Sequence, residues 1–391
     1  MTQPGRPFII HVTADHPDTV QPNKTPVIQR LAGLVESDFR QKILSLNRRS
    51  PPKSSWAWPR LSLEAASESD ALDALVYTAP PAGIHHRRLL VRLGEVLAER
   101  IATGPRPDLL VGHKLTVEGF AVARAASLLG VPYALSVQGN TDQRILQMRP
   151  DLHRFLRPIF HEASHVFPFT PWALRALEDR LGERDGGTTL LPCPMARDTM
   201  IAPKTGGAQL VSAFHLRHAD LKNLPAMARA LRSVREGGTD AQLAIIGGGT
   251  TGEVAAAQRH GAEGMTFEGA LPNDAIAARF NAARGFILPS RRESFGLVFI
   301  EALFAGLPIA FPRGAAVDGY FADCPFALPV DARDDAAIAR AMRELHDDED
   351  RLKQALAEWQ GSEAAQRFTR PAIGAALRRG LMDAAGMAGT A

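Results

Sequence analysis

Short apolar runs alternate with stretches of helical spacing along the whole chain. Residues 8–12, 41–46, 108–112 and 133–137 are apolar runs of strand length. Between them, residues 84–101 set Leu90, Leu93, Leu97 and Ile101 on one helical face, and 117–129 form another helical stretch ending at Gly130. Thr25-Pro26 is expected to open an earlier helix, with Thr as N-cap and Pro at the first helical position. The second half repeats the scheme: strand-like runs at 209–214, 243–246, 285–288 and 309–311, and helices around 275–283 and from Gly296 to Gly306-Leu307-Pro308. Such alternation predicts α/β architecture with doubly wound parallel sheets.

A chain of 391 residues with 45% hydrophobic content can bury two cores. The Pro- and Gly-rich stretch 191–208 marks the boundary, so we expect a domain over 1–200, a second over 208–365, and short Ala-rich helices over 366–391. With 45 basic against 42 acidic residues, the net charge of +3 gives no case for nucleic acid. No apolar run is long enough to span a bilayer and no secretory segment is visible, so the cytoplasm is the expected compartment. Cys193 and Cys324 are too few for a disulfide framework or a metal site. Asp348-Glu349-Asp350, inside the acidic run HDDED, reads as surface charge, and no metal is expected.

The candidate chemistry lies in RRESFGLVFIEALFAGLP, residues 291–308. Glu293 falls in turn chemistry and Glu301 about one turn into the following helix, on either side of Gly296. Two surface acids flanking a core helix would give the same spacing. Their company favours a site: the pair follows a buried strand, and open α/β sheets bind ligands at the C-terminal strand edge. The helix N-terminus offers unpaired amides, and a glycine there lets a diphosphate approach the backbone.

The segment PSRRESFGLVFIEALFAGLPIAFPRGAAVDG resembles the Glu-x7-Glu region of retaining GT-B glycosyltransferases, above all family 4, and the likeness extends upstream through LAIIGGG and MTFEGAL. It implies two Rossmann-like domains facing across a cleft, with the chain's end crossing back onto the first. It also implies a UDP or GDP type nucleotide sugar as donor substrate, with no further cofactor. Glu293 would contact donor-sugar hydroxyls and Glu301 the ribose, while the segment Ser294, Phe295, Gly296 and Leu297 holds sugar and diphosphate. Lys222 matches the family lysine that neutralises the leaving diphosphate. The companion arginine position reads Phe214-His215, and Arg217 is the preferred second cation. Gly248, Phe267 and Gly269 are expected near the nucleotide. The run Gly247 to Gly252 also satisfies G-x-G-x-x-G, with Glu268 about twenty residues on, so a dinucleotide fingerprint is the rival reading.

On the acceptor side the candidates are Asn23 and Lys24, standing where the family often has two glycines in the loop after the first strand, and His113 by its place at a strand end. Gln138 stands where the family commonly has a histidine beside the donor sugar. Residues 40–60 carry Arg40, Lys42, Arg48, Arg49, Lys53 and Arg60 without an acid, and add Trp56 and Trp58. Contact with an anionic membrane surface and an ordinary loop both stay open for that stretch. The favoured function is a retaining sugar transfer to a saccharide or lipid-linked acceptor in envelope or exported polysaccharide synthesis. An inactive GT-B scaffold and a nucleotide-sugar epimerase are the alternatives.

Overall fold

A computed structural model describes residues 5–57 and 59–387; Trp58 of the basic stretch lies outside them. The chain forms two compact units, one made of the residues up to Pro194 together with those from Arg370 on, the other of Met195–Thr369.

In the first unit the order is β1 (Phe8–Thr13), α1 (Val27–Gly33), β2 (Arg40–Arg49), β3 (Leu63–Ser67), β4 (Leu72–Thr78), α2 (His86–Ile101), β5 (Leu109–Gly112) and α3 (Glu118–Leu129). It continues through β6 (Tyr133–Val137), α4 (Asn140–Met148), α5 (His153–Glu162), β7 (His165–Pro168), α6 (Pro171–Leu181) and β8 (Gly187–Thr188). The strands line up as β3-β4-β2-β1-β5-β6-β7-β8. Every position of β1 is buried, as expected for a central parallel strand covered on both faces. The strand order reverses between β1 and β5. One edge departs from the all-parallel expectation: β3 runs antiparallel to β4, because the link over residues 68–71 is too short for a crossover. The first helix also starts later than Thr25-Pro26 predicts, with Pro26 at the cap and no side-chain cap bond.

The second unit contains β9 (Leu210–Ala213), α7 (Leu224–Glu236), β10 (Leu243–Ile246), α8 (Thr251–Gln258), β11 (Met265–Gly269), α9 (Asn273–Asn281), β12 (Phe286–Ile287) and α10 (Leu297–Phe304). After these come β13 (Ile309–Pro312), β14 (Ala327–Val330), α11 (Asp335–Asp347), α12 (Glu349–Gln360) and α13 (Glu363–Gln366). Its sheet is ordered β11-β10-β9-β12-β13-β14 and reverses between β9 and β12. Glu349 is 6% exposed, which corrects its reading as surface charge. Its carboxylate accepts bonds from Gly207 N (2.9 Å) and Lys353 Nζ (2.8 Å), and Lys353 also donates to Ala283 O (2.7 Å). A buried charge persists when it is paired and hydrogen-bonded. The same knot holds residues 195–208, part of the expected boundary stretch, in this unit, where Ile201 N also donates to Phe304 O at 2.7 Å.

The expected short terminal helices are one helix of 15 residues, α14 (Arg370–Ala384). It belongs to the first unit, where Arg378 Nε donates to Asp38 Oδ1 at 2.8 Å. Among the described residues no helix is long and apolar enough to cross a membrane.

Candidate functional site

Lys222 follows β9 and Glu293 follows β12, the two strands between which the order of the second sheet reverses. Such reversal points are where open α/β sheets bind ligands. The loop after β9 makes a tight turn over Leu216–His218, then Lys222 N donates to His218 O at 2.8 Å. The next residue, Asn223, is fully buried with φ of 65°. Its Nδ2 donates to Pro289 O (3.0 Å) and Ala332 O (2.7 Å), and its Oδ1 accepts from Arg291 Nε (3.1 Å). Asn223 therefore fastens the Lys222 loop to the Glu293 loop. The side chains of Lys222 and Glu293, 18% and 16% exposed, meet as an ion pair.

Gly296 caps α10 with φ of 71°. A Cβ there would lie 2.6 Å from Phe299 Cδ2, so only glycine allows this turn. No acid occupies the first turn of α10, and a helix N-terminus favours an anion, although Phe299 N is already spent on Gly296 O at 3.0 Å. Phe295 is buried, with its ring edge-on to Tyr320 at 6.3 Å. Ser294 and Leu297 flank the turn half-exposed, and Glu301 stands on the exposed side of α10.

Arg217 is exposed and donates through Nε to His218 Nε2 at 3.0 Å. Burial, Arg217 and Lys222 all push the His218 pKa down, so at neutral pH the imidazole accepts this bond uncharged. The glycine loop after β10 presses on the same turn: Gly248 O accepts from Leu216 N (2.9 Å), and a Cβ on Gly247 would stand 1.8 Å from Phe214 O. Gly247 N donates to Gly269 O at 2.8 Å, which sets the end of β11, with half-buried Phe267, beside it.

The dinucleotide reading of this glycine loop loses its two chemical requirements. Thr250 and Glu253 form a capping box, so a carboxylate sits at the N-terminus of α8 where a pyrophosphate would bind. Glu268, the ribose acid of that reading, is held by Arg279 (2.7 Å) and Gln209 (3.2 Å).

The acceptor-side expectations fare differently. Asn23 is exposed. Lys24 is not free to reach a ligand: its side chain is 8% exposed and donates to Asp18 (2.8 Å), Ser45 Oγ (3.1 Å) and Leu46 O (3.3 Å). Asp18 needs that cation because its carboxyl is buried; against burial, the bonds from Lys24, Ser45, Asn47 and Gln21 N hold its pKa well below the usual carboxylate range. His113 is also spoken for. It is 4% exposed and bonded to His11 (3.1 Å) and Ser136 (3.0 Å) inside the sheet. Gln138 is half-buried, and its Nε2 has no partner among the described residues.

Sequence reasoning missed Asn223, Arg291 and His218. The only trace of the first is an Asn before Leu-Pro, a helix-start pattern, and its bonds to Pro289 and Ala332 have no local signature.

Two family models cover most of the chain: a glycosyl transferase 4-like domain over residues 27–194 and the glycosyl transferases group 1 model over 209–348. The chain belongs to the glycosyltransferases of the GT-B fold. Among relatives of this glycosyltransferase, the 2-deoxystreptamine glucosyltransferase of Streptomyces kanamyceticus is 25% identical over 57% of this chain and 64% of its own length. A D-inositol 3-phosphate glycosyltransferase of Corynebacterium kroppenstedtii is 36% identical over 20% of this chain and 18% of its own. A GDP-mannose-dependent mannosyltransferase of Mycobacterium tuberculosis, acting on phosphatidylinositol monomannoside, is 31% identical over 33% of this chain and 36% of its own. The chain thus matches less than two thirds of each of these relatives. The sucrose-phosphate synthase structure from Thermosynechococcus elongatus superposes with a TM-score of 0.66 over 95% of this chain and 97% of that one, at 16% identity. The lipopolysaccharide outer core galactosyltransferase WaaB gives 0.65 over 96% and 99%, at 11%. At these identities the structures speak for the GT-B fold.

Proposed function

We propose that this glycosyltransferase moves a sugar, with retention at the anomeric carbon, from a nucleotide diphosphate sugar to a saccharide or lipid-linked acceptor, in envelope or exported polysaccharide synthesis. The observation that carries the reading is the Lys222–Glu293 pair set beside the open N-terminus of α10 at Gly296. Glu293 neutralises Lys222. A donor would exchange that bond for two: its diphosphate on Lys222, Arg217 and the Gly296–Leu297 amides, and its sugar hydroxyls on Glu293. Glu301, one turn further along α10, is the candidate for the ribose, and Gly248, Phe267 and Gly269 line the approach of the base.

In front-face displacement the bond from the anomeric carbon to the diphosphate oxygen breaks as the acceptor hydroxyl oxygen bonds to the same face. The hydroxyl proton passes to the departing diphosphate. The protein's work is then to stabilise charge on the leaving group, where one well-placed donor contributes about 3 to 4 kcal/mol. The cationic pair supplies this charge, so the reaction is expected to run with chelator present.

The test is release of nucleoside diphosphate from UDP- and GDP-sugars in the presence of acceptor, with the anomeric configuration of the product read by NMR. Lys222→Ala should lower turnover by about 100-fold or more while the thermal midpoint stays. Near-normal turnover in that variant would overturn the assignment of the leaving-group cation. Release that never yields a glycosylated acceptor would point to the epimerase class.

A further inference from the structure

The first unit contains a cavity of about 560 Å³ that the proposed donor chemistry does not use. It lies where Ala14 follows β1, Arg48 stands one residue before the end of β2, Ala79 follows β4 and Lys114 follows β5. This is the C-terminal edge of the sheet at its β1/β5 reversal, the position at which such sheets take ligands. The volume falls in the range of small-molecule sites, about 300 to 1,000 Å³.

The lining has two chemistries. The walls are largely apolar, formed among others by Tyr77, Ile84, Leu89, Leu90, Ile145 and Leu152. Two of the large hydrophobic side chains left exposed on this chain, Ile84 at 37% and Met148 at 70%, also line it. The charged lining groups are all cations: Arg48, Lys114, Arg144 and Arg149. Arg149 is paired with Asp151 at 2.7 Å, and Arg48 donates to the Pro80 carbonyl at 3.0 Å. Lys114 is held by Asp15 at 2.5 Å, and although burial works to lower its pKa, the carboxylates of Glu118, Asp15 and Asp142 raise it, so it stays charged. His86, the one lining histidine, is pushed down by burial and remains neutral at pH 7. A second cavity that shares Leu89 is lined by Arg60, Arg87, Arg88 and Arg92 against one acid, Glu95, which pairs with Arg92 at 2.8 Å.

A sugar alone would not need apolar walls with exposed Ile84 and Met148 beside them, and a neutral hydrocarbon would not need four cations. We propose that this cavity seats a phosphate-linked lipid, its hydrocarbon chain against the apolar wall and its phosphate on Arg48, Arg144 and Lys114. As the acceptor of the transfer, this ligand rests on the function proposed above; as a binding site it rests on the lining alone. Guanidinium groups grip phosphate oxygens bidentately, and an anion drawn into a low-dielectric pocket gains more from each cation than it would in water.

The experiment is calorimetric titration of the full chain without any nucleotide sugar, so that a failure of the transferase reading leaves it untouched. The probes are farnesyl phosphate, farnesol and inorganic phosphate. Farnesyl phosphate is expected to bind at least about tenfold tighter than either half-probe. The double variant Arg48→Gln, Arg144→Gln should bring it to the level of farnesol, and Ile84→Asp should weaken it with the thermal midpoint unchanged. Farnesol binding as tightly as farnesyl phosphate, or a double variant that binds like the wild type, overturns the phosphate seat. Inorganic phosphate binding as tightly as farnesyl phosphate overturns the lipid chain.

Discussion

At the level of single residues, the donor-side geometry depends on one amide that touches no proposed ligand. Asn223 adopts a left-handed conformation, which Asn tolerates better than most residues. From there it satisfies two carbonyls and one guanidinium on segments distant in sequence. Replacing it by alanine takes this partner from the Pro289 and Ala332 carbonyls, at about 1 to 3 kcal/mol each, and places a less tolerant residue at positive φ. Asn223→Ala is expected to lower the unfolding free energy by about 3 kcal/mol or more. Asn223→Gly should recover only the backbone share. A denaturant midpoint for Asn223→Ala within about 0.5 kcal/mol of wild type, the spread of ordinary surface substitutions, would contradict the role. Lys222 was readable from the sequence as a cation because family 4 carries one there. Asn223 was not, because its partners at 289 and 332 become neighbours only when β12 and β14 are in place.

At the level of elements, a row of polar groups crosses the apolar sheet of the first unit from β2 through β1 and β5 to β6. Gln41 Nε2 donates to Ala32 O (2.9 Å), which leaves its Oε1 to accept from His11 Nε2 (3.0 Å). His11 Nδ1 must then accept from His113 Nε2 (3.1 Å), and His113 Nδ1 from the Ser136 hydroxyl (3.0 Å). Each nitrogen has one role, and a proton added to His11 Nδ1 would set two donors against each other. Burial, opposed by Gln41 and assisted by His16, lowers the His11 pKa to about 4, and burial with the His11 and Lys114 charges takes His113 well below its ordinary value. The unfolded histidines titrate near 6.5, so between there and pH 4 the unfolded chain binds more protons. The stability contributed by His11 is complete above about pH 6.5 and is lost as pH falls toward 4, by at most about 3 kcal/mol. Imidazole NMR shifts of His11 and His113 should stay flat from pH 8 to 6; a midpoint near 6.5 in either would sink the neutral chain. This network also explains why a strand-end histidine looked like a ligand contact. Its position after β5 was legible, but its direction into the sheet was set by the neighbouring strands.

At the level of the whole molecule, the alternation of apolar runs and helical stretches was enough to expect two doubly wound sheets, since buried parallel strands and their crossover helices write their periods directly into the chain. The antiparallel edge β3, with the burial pattern of an exposed strand, leaves no such period. Nor did an Ala-rich tail declare that it would form one long helix, although its return to the first unit was expected from the family resemblance. The reason that helix fits is visible at Gly380. Glycine inside a helix costs about 1 kcal/mol against alanine, yet a Cβ here would stand 2.4 Å from Phe167 Cε1 and 3.0 Å from His165 Nε2 of β7. The glycine lets α14 lie close enough for Leu377 and Leu381 to be buried. One turn and a half earlier on the same helix, a Cβ at Gly374 would meet Leu34 Cβ no nearer than 3.4 Å, an ordinary contact. The two positions should therefore respond with opposite sign to the same change. Gly380→Ala is expected to destabilise by about 1 to 3 kcal/mol through overpacking, and Gly374→Ala to be neutral or stabilising by up to about 1 kcal/mol through helix propensity. Denaturant unfolding of the two variants side by side decides it. Equal shifts would mean that α14 does not pack against Phe167 as closely as the structure has it, and the burial of Leu377 and Leu381 would fall with that contact.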